Sequence, residues 1–327
     1  MEFFRHFEAH TGRSADFRAL DYVAIAAREK QATLEADLQQ LRALGARAEI
    51  MNGREASRIH PGIHASDEEI VLHIEGLGYA DPSAATRALT ERAVEGGASI
   101  FEFAPVKAIC IKQGRATGVV TEATEIACSK IVLACGIWSN DLLEPLGLKL
   151  PIYWHRAEIC LFRRPSHLDG HPIIADLISR YYSRPDVGEL TLAGAIPAMS
   201  SAVDRPSWLE NVDHLDHVPG DVRPETIRNL HQKLISRLPD FARAYWKRGY
   251  ACVYDVTPDW HPVLSLSNQV QGLFIAAGFS GHGFVMSAAI GRIIAEAVQG
   301  IDKNQEEKLL LRLERFEQNQ PVAFDLG

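Results

Sequence analysis

Three glycines, Gly278, Gly281 and Gly283, follow an apolar run at residues 272–277 and precede Met286, Ile290, Ile293, Ile294 and Ala297, which recur at three- and four-residue intervals. Glycine tolerates positive φ and has no side chain, so such a corner can bring backbone N–H groups close to a flat or anionic ligand. The apolar run reads as a strand and the periodic segment as a helix whose dipole aims its positive end at the same spot. That is chemistry for a ligand that carries or develops negative charge. A second corner, Ala134-Cys135-Gly136-Ile137-Trp138-Ser139, follows the apolar residues 131–135. It suits either close approach of a ligand or a plain strand-to-helix turn with Ser139 as the cap. Gly76-Leu77-Gly78 offers the first two glycines of a dinucleotide fingerprint, but Asp81 and Pro82 follow where the third glycine belongs. The helix-packing glycine and the downstream acidic residue are missing, which argues against a phosphate loop.

Elements must hold these corners. Residues 2–12 read as a short amphipathic helix, 21–27 (DYVAIAA) as a strand, and 29–44 as a helix with Leu34, Leu38, Leu41 and Leu44 on one face. Residues 70–74 form another strand-like run that leads into GLGYADP. Asp81 then caps a helix with Pro82 at its first position and Ala85, Ala88, Leu89 and Val94 as its buried stripe. Residues 99–103, 106–111, 118–122 and 131–135 follow as strands, the last with the composition of a strand covered on both faces. This order is half of an α/β nucleotide-binding domain. Between residues 151 and 249 short alternating segments at 157–162, 173–175, 180–183 and 190–193 lie between Pro- and Gly-bearing turns, the pattern of an antiparallel sheet. A helix at 224–237 and a charged amphipathic helix at 305–318 complete the reading. The expected fold class is α/β with α+β character. Residues 78–150 and 250–327 form a discontinuous, incomplete Rossmann-like domain, and 1–77 and 151–249 form a substrate domain.

The chain has 327 residues, 46% hydrophobic and 23% charged, with a net charge of -8 and a pI near 5.9. An acidic chain without a basic block is a poor nucleic-acid binder. No apolar run reaches the roughly 18 residues of a membrane span, and residues 1–10 lack a signal-peptide pattern, so a cytoplasmic protein is expected. Five cysteines, odd in number and never spaced as CxxC, disfavour both a disulfide framework and a metal site.

The segments YADP, IVLACGIWS, YYSRP, VYDVTPDWHPV and GLFIAAGFSGHGF together resemble the FAD-dependent amine and amino-acid oxidoreductases of the D-amino-acid oxidase fold, the group of sarcosine oxidase and proline dehydrogenase. The likeness runs over nearly the whole chain in order, and residues 254–296 are its most specific block. It implies FAD as the cofactor and places Gly278, Phe279, Ser280, Gly281, His282, Gly283 and Phe284 at the pyrimidine end of the flavin ring. Val106, Ala134, Gly136, Trp138, Cys252 and Asp259 complete the implied cofactor set. The family begins with a strand, a GxGxxG turn and a helix for the pyrophosphate, whereas Met1 here resembles a part some tens of residues beyond that unit. The expectations are a start placed too late, a second polypeptide that supplies the unit, or a protein that no longer binds FAD in the usual way; the first is preferred.

The resemblance further implies oxidation of the C–N bond of a small secondary amine or amino acid by hydride transfer to flavin N5, with the substrate carboxylate anchored. Arg184, in YYSRP, and Arg156 are candidate carboxylate partners because a guanidinium binds it in bidentate fashion, with a plain salt bridge as the alternative. Tyr182 and Tyr254 are candidates to wall or hydrogen-bond the substrate, and His282 to bond near flavin or substrate. Cys252 falls in the register at which the sarcosine oxidase branch carries a covalent flavin thioether; the alternative is a buried structural thiol. That branch also has a lysine just after the loop phenylalanine that helps oxygen react, where this chain has Val285. A dehydrogenase is therefore expected over an oxidase. The contrasting expectation is a truncated or subunit-type, non-catalytic protein that needs a partner chain for FAD. Expected partners are the amine or amino acid and an electron acceptor or partner subunit.

Overall fold

A computed structural model describes residues 2–168, 170–197, 220–301, 303 and 305–322. Its strands are β1 (Tyr22–Ala27), β2 (Ala48–Asn52), β3 (Glu69–Ile74), β4 (Val106–Lys112), β5 (Arg115–Thr121), β6 (Glu125–Ala127), β7 (Ile131–Leu133), β8 (Tyr153–Arg163), β9 (Ile173–Asp176), β10 (Tyr181–Pro185), β11 (Leu190–Ala195), β12 (Tyr245–Val256), β13 (Val263–Leu266) and β14 (Leu273–Ala277). The helices are α1 (Glu2–Arg5), α2 (Phe7–Thr11), α3 (Gln31–Ala43), α4 (Pro82–Glu95), α5 (Ser139–Leu143), α6 (Pro224–Arg237), α7 (Gly283–Gln299), α8 (Gln305–Leu310) and α9 (Glu314–Glu317).

An eight-stranded sheet in the order β12-β8-β11-β10-β9-β1-β3-β2 is antiparallel except where β1 meets β9. Successive side chains of a strand point to opposite faces, so the register sorts this sheet into two. Cys252 lies opposite Ala157, Tyr254 opposite His155, Gly194 opposite Ile159, Tyr182 opposite Gly194 and Arg184 opposite Leu192. These residues share one face, called the front. Arg156, Glu158, Cys160, Ala193, Ser183 and Tyr181 share the back, where Leu230, Leu234 and Leu238, at the end of α6, close a core with Cys160, Phe162, Ile174 and Tyr181. At the β1-β3-β2 end, α3 covers the front through Leu34, Leu38 and Leu41. Over β12, β8, β11 and β10 the front turns to the small sheet.

That small sheet runs β13-β14-β7, with β14 and β7 parallel. One side packs on α7 through Ala276, Ile290 and Ile293, the other on β4 and α5 through Ile109, Leu133, Leu143 and Ile275. The antiparallel β4-β5-β6 sheet stands beside it. The boundary expected at residue 250 cuts through β12, which pairs with β8 as far as Val256.

Helix ends follow the local chemistry. The Asp81 side chain accepts from Ser83 N and Ala84 N at 2.7 and 3.0 Å, with Pro82 where no N–H is needed. Gly300, at φ 78°, closes α7 in the left-handed conformation. Some expectations fail. Residues 2–12 form two short helices, and the 305–318 helix breaks into α8 and α9. Leu89 and Val94, expected in the buried stripe of α4, are exposed, and so is Leu44. The strand expected at 99–103 does not form, and Ile100, Phe101 and Phe103 stand in solvent. A strand exists only where a neighbour accepts its hydrogen bonds, and among the described residues none adjoins it.

Candidate functional site

The glycine corner after β14 is wound by Gly278 (φ 74°), Ser280 (φ 51°) and Gly281 (φ 84°). Space as well as φ demands glycine: a Cβ on Gly278 would lie 2.4 Å from Thr257 Cγ2, and one on Gly281 2.9 Å from Tyr254 Cε2. The corner is therefore seated on the end of β12, at the edge of the front face. Hydrogen bonds fasten it there. Gly278 N donates to Asp255 Oδ2 at 2.6 Å, Ser280 N to the Asp255 carbonyl at 2.9 Å, and Thr257 N to Ser280 Oγ at 3.3 Å. Burial raises the Asp255 pKa, opposed by the N–H groups of Gly278, Asp255 itself and Phe279. Donors that the sequence assigns to an outside anion are thus partly taken by this carboxylate. The turn after β7 converges on the same group, since a Cβ on Gly136 (φ 52°) would lie 3.7 Å from Asp255 Oδ2.

The front face next to the corner carries Tyr254, Tyr182, Cys252 and Arg184. The Tyr182 and Tyr254 hydroxyls are hydrogen-bond partners, and burial, followed by the neighbouring tyrosine and Cys252, raises the pKa of Tyr182 well above 10. Burial likewise raises Tyr254, so both phenols stay protonated. Gly194 makes room for the Tyr182 ring: a Cβ there would lie 2.5 Å from its hydroxyl. Burial also pushes up the Cys252 thiol, which disfavours the nucleophilic thiolate. Arg184 stacks over the Tyr79 ring at 4.3 Å and donates from Nη1 to Asp186 Oδ1 at 2.9 Å. Its guanidinium is oriented before any ligand arrives. Sequence reading missed Tyr79, Asp186, Gly194 and Asp255; strand register connects Gly194 to Tyr182, while Tyr79 and Asp186 join through Arg184 and Asp255 through the Gly278 amide.

Other expected site residues lie elsewhere. Arg156 is on the back face, with Nη1 2.7 Å from Glu158 Oε1, and Arg223 binds the same carboxylate. It does not meet Arg184 or the tyrosines, because one residue along a strand reverses the side-chain direction. Both oxygens of Asp259 are engaged by Arg315, at 2.8 and 3.0 Å, with Val322 N at 3.0 Å. Asp259 ties the C-terminal segment down. Phe284 packs on Phe4 with ring centroids 5.0 Å apart, and Phe279 joins the α7 cluster of Met286 and Ile290 while bordering Gly283. Val106 packs on the core of the small sheet, while Ala134 and Trp138 are exposed at the end of β7. His282 precedes α7 at the mouth of the corner, and partial burial lowers its pKa against a bond from its ring to the Ser280 carbonyl.

The arrangement fits the ring end of a flavin: a flat, glycine-lined corner and the first turn of the 17-residue α7 face a wall of tyrosines. The pyrophosphate end is different. A Cβ on Gly78 would lie 2.2 Å from the Arg18 carbonyl, so this glycine serves the Arg18–Tyr79 bridge, and Asp81 already caps α4. Among the described residues no group of three or more His, Cys, Asp or Glu is placed to hold a metal. No helix of the described residues is long and apolar enough to cross a membrane.

The chain is 28% identical over 225 residues to 4-methylaminobutanoate oxidase (formaldehyde-forming) of Paenarthrobacter nicotinovorans, a match over 68% of this chain and 26% of that protein. It is 26% identical over 259 residues to monomeric sarcosine oxidase of Arthrobacter sp. (strain TE1826), over 77% of this chain and 64% of the relative. The chain thus spans less than two thirds of either relative's length. Among solved structures, L-proline dehydrogenase from P. horikoshii superposes with a TM-score of 0.85 at 22% identity, covering 98% of this chain and 82% of that one. Glycine oxidase from Geobacillus kaustophilus superposes at 0.77 and 22%, covering 93% and 77%. These likenesses establish the fold. The sequence profile of the DAO family, described as FAD dependent oxidoreductase, matches residues 1–297, and the chain belongs to that family.

Proposed function

We propose that this chain carries the substrate-facing part and the flavin-ring-facing part of an FAD-dependent oxidoreductase that oxidises the C–N bond of a small secondary amine or amino acid. The observation that carries this is that the Tyr182–Tyr254 pair and the braced Arg184 share one face of the large sheet, with Tyr254 packed under the glycine corner. Bound FAD supplies the acceptor for the hydride removed from the carbon next to nitrogen. The residues of the chain orient and shield. Arg184 takes the substrate carboxylate, Tyr182 and Tyr254 wall the amine and keep their protons, and the corner together with the first turn of α7 receives the flavin ring. His282 lies at the mouth, where its lowered pKa leaves it neutral near pH 7. Val285 in place of a lysine supports a dehydrogenase that passes electrons to another acceptor. Cys252 lies on the same face, and a covalent flavin link there remains the alternative to a buried structural thiol. Flavin colour that survives acid precipitation would support attachment, and release of free flavin would end it.

The decisive experiment is titration of the purified chain with FAD, followed by flavin fluorescence, and then anaerobic addition of sarcosine, proline or glycine. Bound flavin that bleaches with one of them supports the reading. No binding at about 100 μM FAD rejects catalysis by this chain alone.

A second reading is favoured by the uncovered surface of the small sheet. Among the described residues β7 is an edge strand with Val132 41% exposed, and Ile100 and Phe101 after α4 and Val285 on α7 also expose apolar side chains. An edge strand of this kind is open to pairing with a further strand. In this reading the chain is a subunit-type protein that binds FAD only with a further polypeptide segment against β7. FAD binding that appears only after such a segment is added distinguishes it from the first.

A further inference from the structure

Five buried or half-buried carboxylates of the described structure face arginine: Glu158 meets Arg156 and Arg223, Asp176 and Glu69 meet Arg237, Asp186 meets Arg184, and Asp259 meets Arg315. Asp255 is built differently. No cation figures among the influences on it, and it is held by backbone amides of the glycine corner, with Gly278 N at 2.6 Å from Oδ2 and Phe279 N also contributing. A desolvated carboxylate without a cation is costly unless several N–H groups satisfy it, so these bonds also fix where the amides point.

The surroundings give this position its meaning. Asp255 lies on β12 immediately after Tyr254, and its own carbonyl accepts from Ser280 N at 2.9 Å. The next N–H of the corner to be used inside the chain is that of His282, which donates to the Phe279 carbonyl at 2.8 Å. With Gly278, Ser280 and His282 committed, the N–H groups of Gly281, Gly283, Phe284 and Val285 are those beyond Ser280 for which no bond inside the chain is formed among the described contacts. Gly136, from the turn after β7, stands close enough that a Cβ would touch the same carboxylate at 3.7 Å. One side chain of the large sheet thus joins the two turns that follow the parallel strands of the small sheet.

We propose that Asp255 is the positioning residue of the glycine corner: by taking up the Gly278 amide on its carboxylate and the Ser280 amide on its carbonyl it leaves the N–H groups beyond Ser280 as the ones that meet the ligand, and it locks the corner to the sheet that carries Tyr254. That the ligand is a flavin rests on the proposed function; that Asp255 sets the corner does not. Asparagine keeps an acceptor oxygen at this position and alanine removes it, so the two substitutions separate hydrogen bonding from side-chain removal.

The test is hydrogen–deuterium exchange by mass spectrometry on peptides covering residues 276–284 of the isolated chain, with urea unfolding as the control for global stability. Asp255→Ala is expected to raise exchange of the corner about tenfold or more, and Asp255→Asn to stay within about threefold of the parent, since one hydrogen bond to a desolvated group is worth about 1–3 kcal/mol. Unchanged exchange in Asp255→Ala, or equal loss in both variants, overturns the proposal. FAD titration of the same proteins is the second arm, with about tenfold weaker binding and an altered flavin absorbance expected for Asp255→Ala and rescue expected for Asp255→Asn. If the parent does not bind FAD, the flavin reading falls for this chain, while the exchange result still decides the role of Asp255.

Discussion

Arg184 has its direction set from two sides, by the Tyr79 ring beneath it and by Asp186 at one nitrogen. A planar fork held this way loses little entropy when a carboxylate arrives. Arg184→Lys is expected to raise KM for a carboxylate-bearing amine about 10- to 100-fold, as for loss of a charged hydrogen-bonded pair, with a smaller effect on an amine that lacks the carboxylate. Steady-state kinetics on the two substrate types checks it. On the back face, Glu158 feels burial, which raises its pKa, but Arg223 and Thr226 outweigh it and hold the carboxyl at about 2. Because the folded value lies below the usual carboxylate value, this cluster contributes stability above about pH 4.5, and the contribution is lost as pH falls towards 2. Urea midpoints at pH 3 and pH 6 should therefore differ less in Glu158→Gln than in the parent. Asp255 has the opposite sign. Its raised folded pKa makes the parent gain on Asp255→Asn as pH falls from above that value towards the ordinary carboxylate range.

The corner and the strand beneath it are fitted to each other atom by atom. Gly281→Ala would place a methyl 2.9 Å from the Tyr254 ring at φ 84°, a clash added to backbone strain of about 1–2 kcal/mol. Reduced urea stability together with altered Tyr254 packing is expected, measured by unfolding curves and tyrosine fluorescence. Gly194→Ala acts on β11 in the same way but strikes Tyr182, at a cost of about 1–3 kcal/mol from overpacking. The failure at residues 99–103 has the opposite cause. Their apolar content is that of a strand, but a strand is a property of a pair. Without a neighbour to receive its N–H and C=O groups, the segment following α4 remains irregular and its side chains face water.

Across the molecule, buried arginines do the tying. Arg237, at the end of α6, binds Glu69 of β3 and Asp176 of β9, so one side chain spans the helix and two strands of the large sheet. Arg237→Ala is expected to cost about 3–5 kcal/mol, because it strands two carboxylates in a dry site; chemical denaturation measures it. Arg315 does the same for the C-terminal segment through Asp259, which binds both a guanidinium and the Val322 amide.

The sequence by itself determined the glycine corner, the capped helix at Asp81, the alternation of the large sheet and the likeness to a flavin-dependent family. Each of these is written in local spacing: glycine where φ is positive, apolar residues at period two or near 3.6, a cap before a proline. Tertiary structure decided the rest. Whether Arg156 or Arg184 shares a face with Tyr182 and Tyr254 depends on register, since neighbouring strand residues look in opposite directions. Whether Asp255 or Asp259 serves the corner depends on what each finds across the fold, backbone amides in one case and Arg315 in the other. Partners such as Tyr79 for Arg184, and Gly194 for Tyr182, come from distant strands and loops and leave no mark in local spacing, because contact across a sheet is set by which strands become neighbours.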